Sequence, residues 1–119
     1  MTERILLVDD DEDLLEIVSE RLINRGMHVD TAGSAEEALN RIGKKDYHAI
    51  VLDFLMPGLD GFENIKAIKK QYPKIRIILM TGQMMADEGQ EAMRMGADVV
   101  LEKPADLDVL IQSIWPPNS

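Results

Sequence analysis

Carboxylates, a hydroxyl and an ammonium group stand just past the ends of short apolar runs in this chain. Asp9 and Asp10 follow "ILLV" (5–8), and Asp53 follows "AIVL" (49–52). Thr81 and Gly82 follow "IRIILM" (75–80), and Lys103 lies just beyond "DVVL" (98–101). Brought together, three carboxylates cannot all ionise cheaply, because like charges at close range repel. A hard divalent cation such as Mg2+ relieves that repulsion. An aspartate in such a site can attack an activated phosphoryl group and become an acyl phosphate. A lysine and a hydroxyl then neutralise or bind the phosphoryl oxygens. Gly82, with no side chain, leaves room for that group to approach.

The elements that must position these residues are legible as well. Three of the four apolar runs are nearly continuous, as expected of parallel strands covered by helices on both faces. "MHVDT" (27–31) alternates polar and apolar, which suits an edge strand. Between the runs lie helical patterns. Leu15, Val18 and Leu22 share one face over 12–25, with Gly26 placed to end that helix. Ser34 and Glu37 read as a capping box before Ala35, Ala38, Leu39 and Ile42. Phe62, Ile65 and Ile68 repeat until "YP", and Leu107, Leu110, Ile111 and Ile114 form the last stripe. The pattern over 84–95 is weakest, because Gly89 interrupts it. There Asp87 with Gln90 is the expected cap, and this helix is the expected most mobile element.

Five strands alternating with five helices predict an α/β doubly wound sheet, flavodoxin-like, in the order 2-1-3-4-5. In such sheets the crevice lies beyond the carboxyl ends of the strands, where the order reverses. That rule gathers Asp9, Asp10, Asp53, Thr81 and Lys103 around one cleft. Residues 1–115 read as one domain, and 116–119 as a tail or the start of a linker.

The acidic run from Asp9 to Asp13 has other readings. Asp11, Glu12 and Asp13 suit a helix N-terminus, where carboxylates favour the dipole. A calcium loop would use Asp9, Asp11 and Asp13 with Glu20 at the twelfth position. Leu14 occupies the place that needs glycine, and the stripe Leu15, Val18, Leu22 already demands helix there. His28 and His48 lack ligand spacing and read as surface or edge residues. Met80, Met84, Met85, Met93 and Met95 gather around the fourth strand and fourth helix. They serve either as core filler or as an adaptable partner surface.

With 22 acidic against 13 basic residues the formal charge is -9, which argues against a nucleic-acid interface in this domain. The absence of cysteine excludes disulfides and thiolate metal sites. No apolar stretch approaches the roughly 18 residues needed to cross a bilayer. A cytoplasmic location without membrane contact is the expectation.

At the strand ends the chain resembles a known family. "VDDD", "LDFLMPGLDG", "MTG" and "EKP" resemble, in order and spacing, the signatures of bacterial response-regulator receiver domains of two-component signalling. The resemblance implies that Asp53 is the phosphoacceptor, served by a sensor histidine kinase or a phosphotransfer protein. It implies Mg2+ (or Mn2+) held by Asp10, Asp53 and the Leu55 backbone carbonyl, with Asp9 acting mainly through water. Thr81 and Lys103 would contact the phosphoryl group, Thr81 moving toward it on activation, and the Lys103–Pro104 peptide would be cis. The domain would be a switch rather than an enzyme, catalysing only its own phosphorylation and autodephosphorylation. Leu55 and Gln83 flank the site where family members control the approach of water, and apolar Leu55 implies slow to intermediate dephosphorylation.

Two positions depart from the family pattern. Val100 stands where an aromatic residue often swings inward, and Ala105 where a phenylalanine commonly follows the lysine–proline pair. Both belong to the face of helix four, strand five and helix five, commonly used in the family for output, and a homodimer through that face is a further expectation. Signalling would then run through backbone and methionine rearrangement near Met84 and Met85. A phosphorylation-independent adaptor is the alternative. A haloacid-dehalogenase-type phosphatase would need an aspartate where Leu55 stands. A flavodoxin would need a Ser/Thr/Gly-rich phosphate loop after strand one.

Overall fold

A computed structural model of the chain describes residues 3–53, 61–82, 86–103 and 106–114. Ten elements alternate through them: β1 (Arg4–Val8), α1 (Glu12–Asn24), β2 (His28–Ala32), α2 (Ala35–Ile42) and β3 (Ala49–Asp53). Then come α3 (Gly61–Gln71), β4 (Arg76–Thr81), α4 (Ala86–Met95), β5 (Val99–Glu102) and α5 (Leu107–Ile114). The strands form one parallel sheet in the order β2-β1-β3-β4-β5, as the alternation of patterns predicts. Among the described residues, no helix is long and apolar enough to cross a membrane.

The continuous apolar runs have the two-sided burial expected of them. Ile5 and Leu7 pack on one face with Leu15 and Leu22 of α1 and Leu110 and Ile114 of α5. Leu6 and Val8 pack on the other with Ala38 and Ile42 of α2, Ile65 and Ile68 of α3, and Ala92 of α4. Ile77, Ile78 and Leu79 in β4 are fully buried, so truncating any of them to alanine is expected to cost about 2–5 kcal/mol. The second strand is the sheet's edge and is only half-buried over most of its length.

Local chemistry sets the helix ends. Asp11 caps α1, its carboxylate accepting from the N–H groups of Asp13 and Leu14 at 3.1 and 3.2 Å. Gly26 follows that helix at φ +93°, a conformation glycine adopts freely. The box at α2 forms in altered shape. Ser34 accepts from the Glu37 N–H at 3.2 Å, but the Glu37 carboxylate reaches the N–H of Gly33 instead of Ser34. Leu39 is 49% exposed and does not join the buried face. Leu39 is turned about 100° around the helix from the buried Ala38, at the margin of the apolar stripe.

The Asp87–Gln90 cap does not form. The helix α4 already begins at Ala86, so Asp87 lies in its first turn and accepts from the neighbouring Glu88 N–H. Met80, Met93 and Met95 lie on β4 and α4 as expected, but they divide among different surroundings. Met80 faces the α1/α5 side, Met95 packs against the opposite core, and Met93 is 49% exposed. Alternation along β4 separates Met80 from the α4 side, which spacing along the chain does not reveal. Met84 and Met85 lie outside the described residues, as do the side chains of Ala35 and Phe62.

The α4–β5 connection is held by a clamp. Asp98 accepts from the Ile77 N–H at 2.8 Å and from Lys69 Nζ at 2.9 Å, and Lys69 also donates to the Ile75 carbonyl. Asp98 therefore precedes the strand, which starts at Val99, one residue later than the apolar run predicts. Gly96 sits at φ +125°, and an added Cβ would lie 2.9 Å from Lys69 Cβ and Cγ. Both the backbone angle and the closeness of α3 demand glycine there.

Candidate functional site

Parallel strands put all their carboxyl ends at one edge of the sheet, and β1 and β3 are neighbours there. Asp9 directly follows β1, and its backbone N–H is tied to the Ala32 carbonyl at the end of β2. Asp53 ends β3, and Thr81 ends β4. The Lys103 N–H donates to the Thr81 carbonyl at 2.8 Å, which fixes the start of the β5–α5 segment beside β4. These backbone bonds converge Asp9, Asp53, Thr81 and Lys103 from four strands.

Burial separates the carboxylates. Asp9 is 1% exposed and Asp53 7%, whereas Asp10 is exposed. Carboxylate oxygens of all three lie within 4.8 Å of one another. Lys103 Nζ stands between the two buried ones, 2.6 Å from Asp9 Oδ2 and 3.2 Å from Asp53 Oδ2. The other Asp9 oxygen accepts from the Asp11 N–H at 2.9 Å. Partial burial would lower the Lys103 pKa, but its hydrogen bonds to and attraction by Asp9 and Asp53 outweigh that, and the net shift is upward. The lysine therefore stays charged and offsets part of the carboxylate repulsion.

The cluster fits a hard divalent cation. Its donor set is all oxygen, which suits Mg2+, Mn2+ or Ca2+ over softer ions. A separation of 4.8 Å or less is within reach of one such ion after small side-chain adjustments. Asp10, exposed and open, is the most available ligand. Asp9, with both oxygens already accepting, is the least. Thr81 is fully buried at the floor of the cleft, and Gly82 is exposed at its rim. An added Cβ at Gly82 would meet nothing within 4 Å, so packing does not require glycine there.

The sequence reading thus anticipates which residues meet, but it assigns Lys103 to the phosphoryl group and misses its contact with Asp9. Spacing shows that two strand ends are close and says nothing of which partner a long side chain selects. Val100 is half-buried and packs against the α2/α3/α4 core. Leu55, Gln83, Pro104 and Ala105 lie outside the described residues, and so do the expected carbonyl ligand and cis peptide.

Comparison with known proteins follows the same lines. The sequence model of a family described as "Response regulator receiver domain" matches residues 5–115. Response regulator protein FleR of Pseudomonas aeruginosa is 34% identical over 114 residues, which are 96% of this chain and 24% of FleR. The chain therefore spans about a quarter of that relative. The beryllofluoride-activated NtrC4 receiver domain dimer superposes with TM-score 0.87 at 36% identity, covering 93% of this chain and 92% of that one. A response regulator from Burkholderia pseudomallei, solved with a phosphorylated aspartic acid and a calcium ion, superposes with TM-score 0.89 at 26% identity. That match covers 96% of this chain and 67% of that one.

Proposed function

We propose that this chain, which belongs to the response-regulator receiver domain family of two-component systems, is a phosphorylation-gated switch with Asp53 as phosphoacceptor. An Asp53 oxygen attacks phosphorus as the bond from phosphorus to a donor imidazole nitrogen breaks. The acyl phosphate forms on Asp53, and the donor imidazole, protonated on its other ring nitrogen, leaves as neutral histidine. The donor would be a sensor histidine kinase or a phosphotransfer protein. Asp10 and Asp53 would hold Mg2+ (or Mn2+), which when bound supplies charge neutralisation for the carboxylates and the incoming phosphoryl oxygens. Lys103, already between Asp9 and Asp53, would turn to a phosphoryl oxygen once that group arrives. Thr81 would donate its hydroxyl to another, with Gly82 leaving the rim clear. The domain's chemistry is then confined to its own phosphorylation and dephosphorylation, and its product is a conformational state.

The observation that carries this reading is the convergence of Asp9, Asp10, Asp53 and Lys103 within one cleft. Output through the face of α4, β5 and α5 is supported by Met93 and Val109, which are 49% and 44% exposed on α4 and α5. The same face would serve a homodimer. A cytoplasmic location follows from the proposed kinase partner. Incubation with acetyl phosphate and Mg2+ should add one phosphoryl group to the intact mass, and Asp53→Asn should abolish the addition. An unmodified mass in the parent chain would defeat the proposal.

The adaptor reading is favoured by one observation: Val100 is small and already packed against the core, so it has no ring to swing. If beryllofluoride binds at Asp53 yet amide exchange over 86–103 is unchanged, phosphorylation is uncoupled from output and the adaptor reading holds.

A further inference from the structure

A cavity lies at the opposite end of the sheet from the carboxylate cleft. It opens between the C-terminal ends of α2 and α3 and has a volume of about 460 Å³, within the range of small-molecule sites. Ile42 and Ile75 form a buried apolar floor, while Tyr47, Tyr72 and Pro73 supply apolar and aromatic walls. The Tyr47 hydroxyl is bound to Asp30, 2.7 Å from its carboxylate, so the ring rather than the hydroxyl is available to the cavity.

Charge decides what such a cavity selects. Segments 41–48 and 69–76 carry Arg41, Lys44, Lys45, Lys69, Lys70, Lys74 and Arg76 against the single carboxylate Asp46, on a chain of net charge -9. Three charged groups line the cavity itself: Lys45, Lys74 and Asp46. Lys45 is already paired with Asp30 at 3.3 Å. Lys74 is exposed and makes no ion pair among the described residues. The helix C-termini at this end hold partial negative charge that part of the basic set offsets. Arg41 is likewise paired with Glu37 and Lys69 with Asp98, and Arg76 donates to the Ser113 carbonyl, so Lys44, Lys70 and Lys74 stand against Asp46 and leave the rim attractive to an anion.

We propose that this cavity binds a small aromatic carboxylate, its ring between Tyr72 and the isoleucine floor and its carboxylate at Lys74. The site is separate from the phosphoacceptor cleft and does not depend on the reading given for it.

Phenylacetate titrated into the isotope-labelled chain tests this by amide chemical shift, with phenylacetamide as the neutral isostere. The expected result is saturable shifts centred on Tyr47, Tyr72 and Lys74, with a dissociation constant on the order of 1 mM for so small a probe. Phenylacetamide, and phenylacetate against Lys74→Gln, should each bind about fivefold more weakly, the scale of one exposed ion pair. Thermal melts of Lys74→Gln should match the parent, because the lysine is exposed. Shifts that do not saturate, shifts centred on Asp10 and Asp53, or equal binding of the amide would each overturn the proposal. So would full affinity in Lys74→Gln, or binding of an acidic phenylalanine-containing peptide where phenylacetate fails.

Discussion

The two ends of the sheet solve opposite electrostatic problems. At the carboxyl end, Asp9, Asp10 and Asp53 crowd together, with Lys103 bound between Asp9 and Asp53. All five helices have acidic residues in the first turn, and α1 through α4 have basic ones in the last. Since the helices run antiparallel to the strands, their positive N-terminal ends partly offset the carboxylates, and lysines and arginines offset the other ends. Yet among the described residues the buried like charges lie at the carboxyl end, whereas the excess charge at the amino end is exposed lysine. At the amino end each buried or half-buried acid has its partners: Asp30 has Tyr47 and Lys45, and Asp98 has Lys69 and the Ile77 N–H. One end keeps unfavourable energy that a ligand can relieve. The other end is built for stability.

Removing a cation from the crowded end should have the largest effect. Lys103→Met leaves Asp9 and Asp53 buried without their counter-charge, and the expected loss is about 3 kcal/mol at neutral pH without divalent cations. Because the Lys103 pKa is raised in the folded state, its contribution is full below its ordinary value of 10.5 and declines as pH rises through the folded pKa. Parent and variant stabilities should therefore converge in strong alkali. Urea denaturation would check this, and combining the substitution with Asp9→Asn should cost much less than Lys103→Met alone. If the double variant is simply additive, the two ends do not differ in the way described.

Magnesium gives the next largest effect. An ion that binds only the folded cluster adds about 2.7 kcal/mol at a hundredfold excess over its dissociation constant, or roughly 10 °C in Tm for a domain of this size. Asp10→Asn should itself stabilise the cation-free protein by about 0.5–1 kcal/mol, since it removes an exposed like charge, and should shrink the Mg2+ response. A Tm indifferent to Mg2+ would remove the carboxyl end from the comparison altogether.

How much of this was legible beforehand differs by end. The strand order and the meeting of Asp9, Asp53, Thr81 and Lys103 follow from apolar runs and parallel topology, because a strand end is a position along the chain. The Lys103–Asp9 contact was not legible, since a long side chain chooses its partner in three dimensions. At the amino end almost nothing chemical was legible. Asp30 reads as one polar residue of an edge strand, and its partners Lys45 and Tyr47 stand fifteen and seventeen positions further on. Asp98 reads as part of an apolar run, and only the fold reveals the Lys69 ammonium beside it. Leu39 failed for a simpler reason: helical spacing names a face but does not measure how far that face extends over the core.

The smallest effect belongs to the satisfied end and tests whether it is satisfied by design of contacts rather than by charge alone. Burial, and then the hydrogen bond to Asp30, push the Tyr47 pKa up to about 12 from an ordinary 10.0. Folding thus favours the neutral phenol, so its contribution is complete below pH 10 and is lost as pH rises from 10 toward 12. The Tyr47 hydroxyl, with help from Lys45, in turn lowers the Asp30 pKa below 3.8, so Asp30 contributes above that value and the contribution fades as pH falls through its folded pKa. Tyr47→Phe should cost about 1 kcal/mol at pH 7, because Asp30 keeps Lys45 and partial access to water. Beyond that, the variant should lose the alkaline fall between pH 10 and 12 that ionisation of Tyr47 produces. Its acid limb should also flatten, as Asp30 returns toward its ordinary value. Chemical denaturation across pH 2 to 12 separates the two limbs. A variant with both limbs unchanged would mean that Lys45 alone holds Asp30, and that the amino end is balanced by charge as loosely as the carboxyl end.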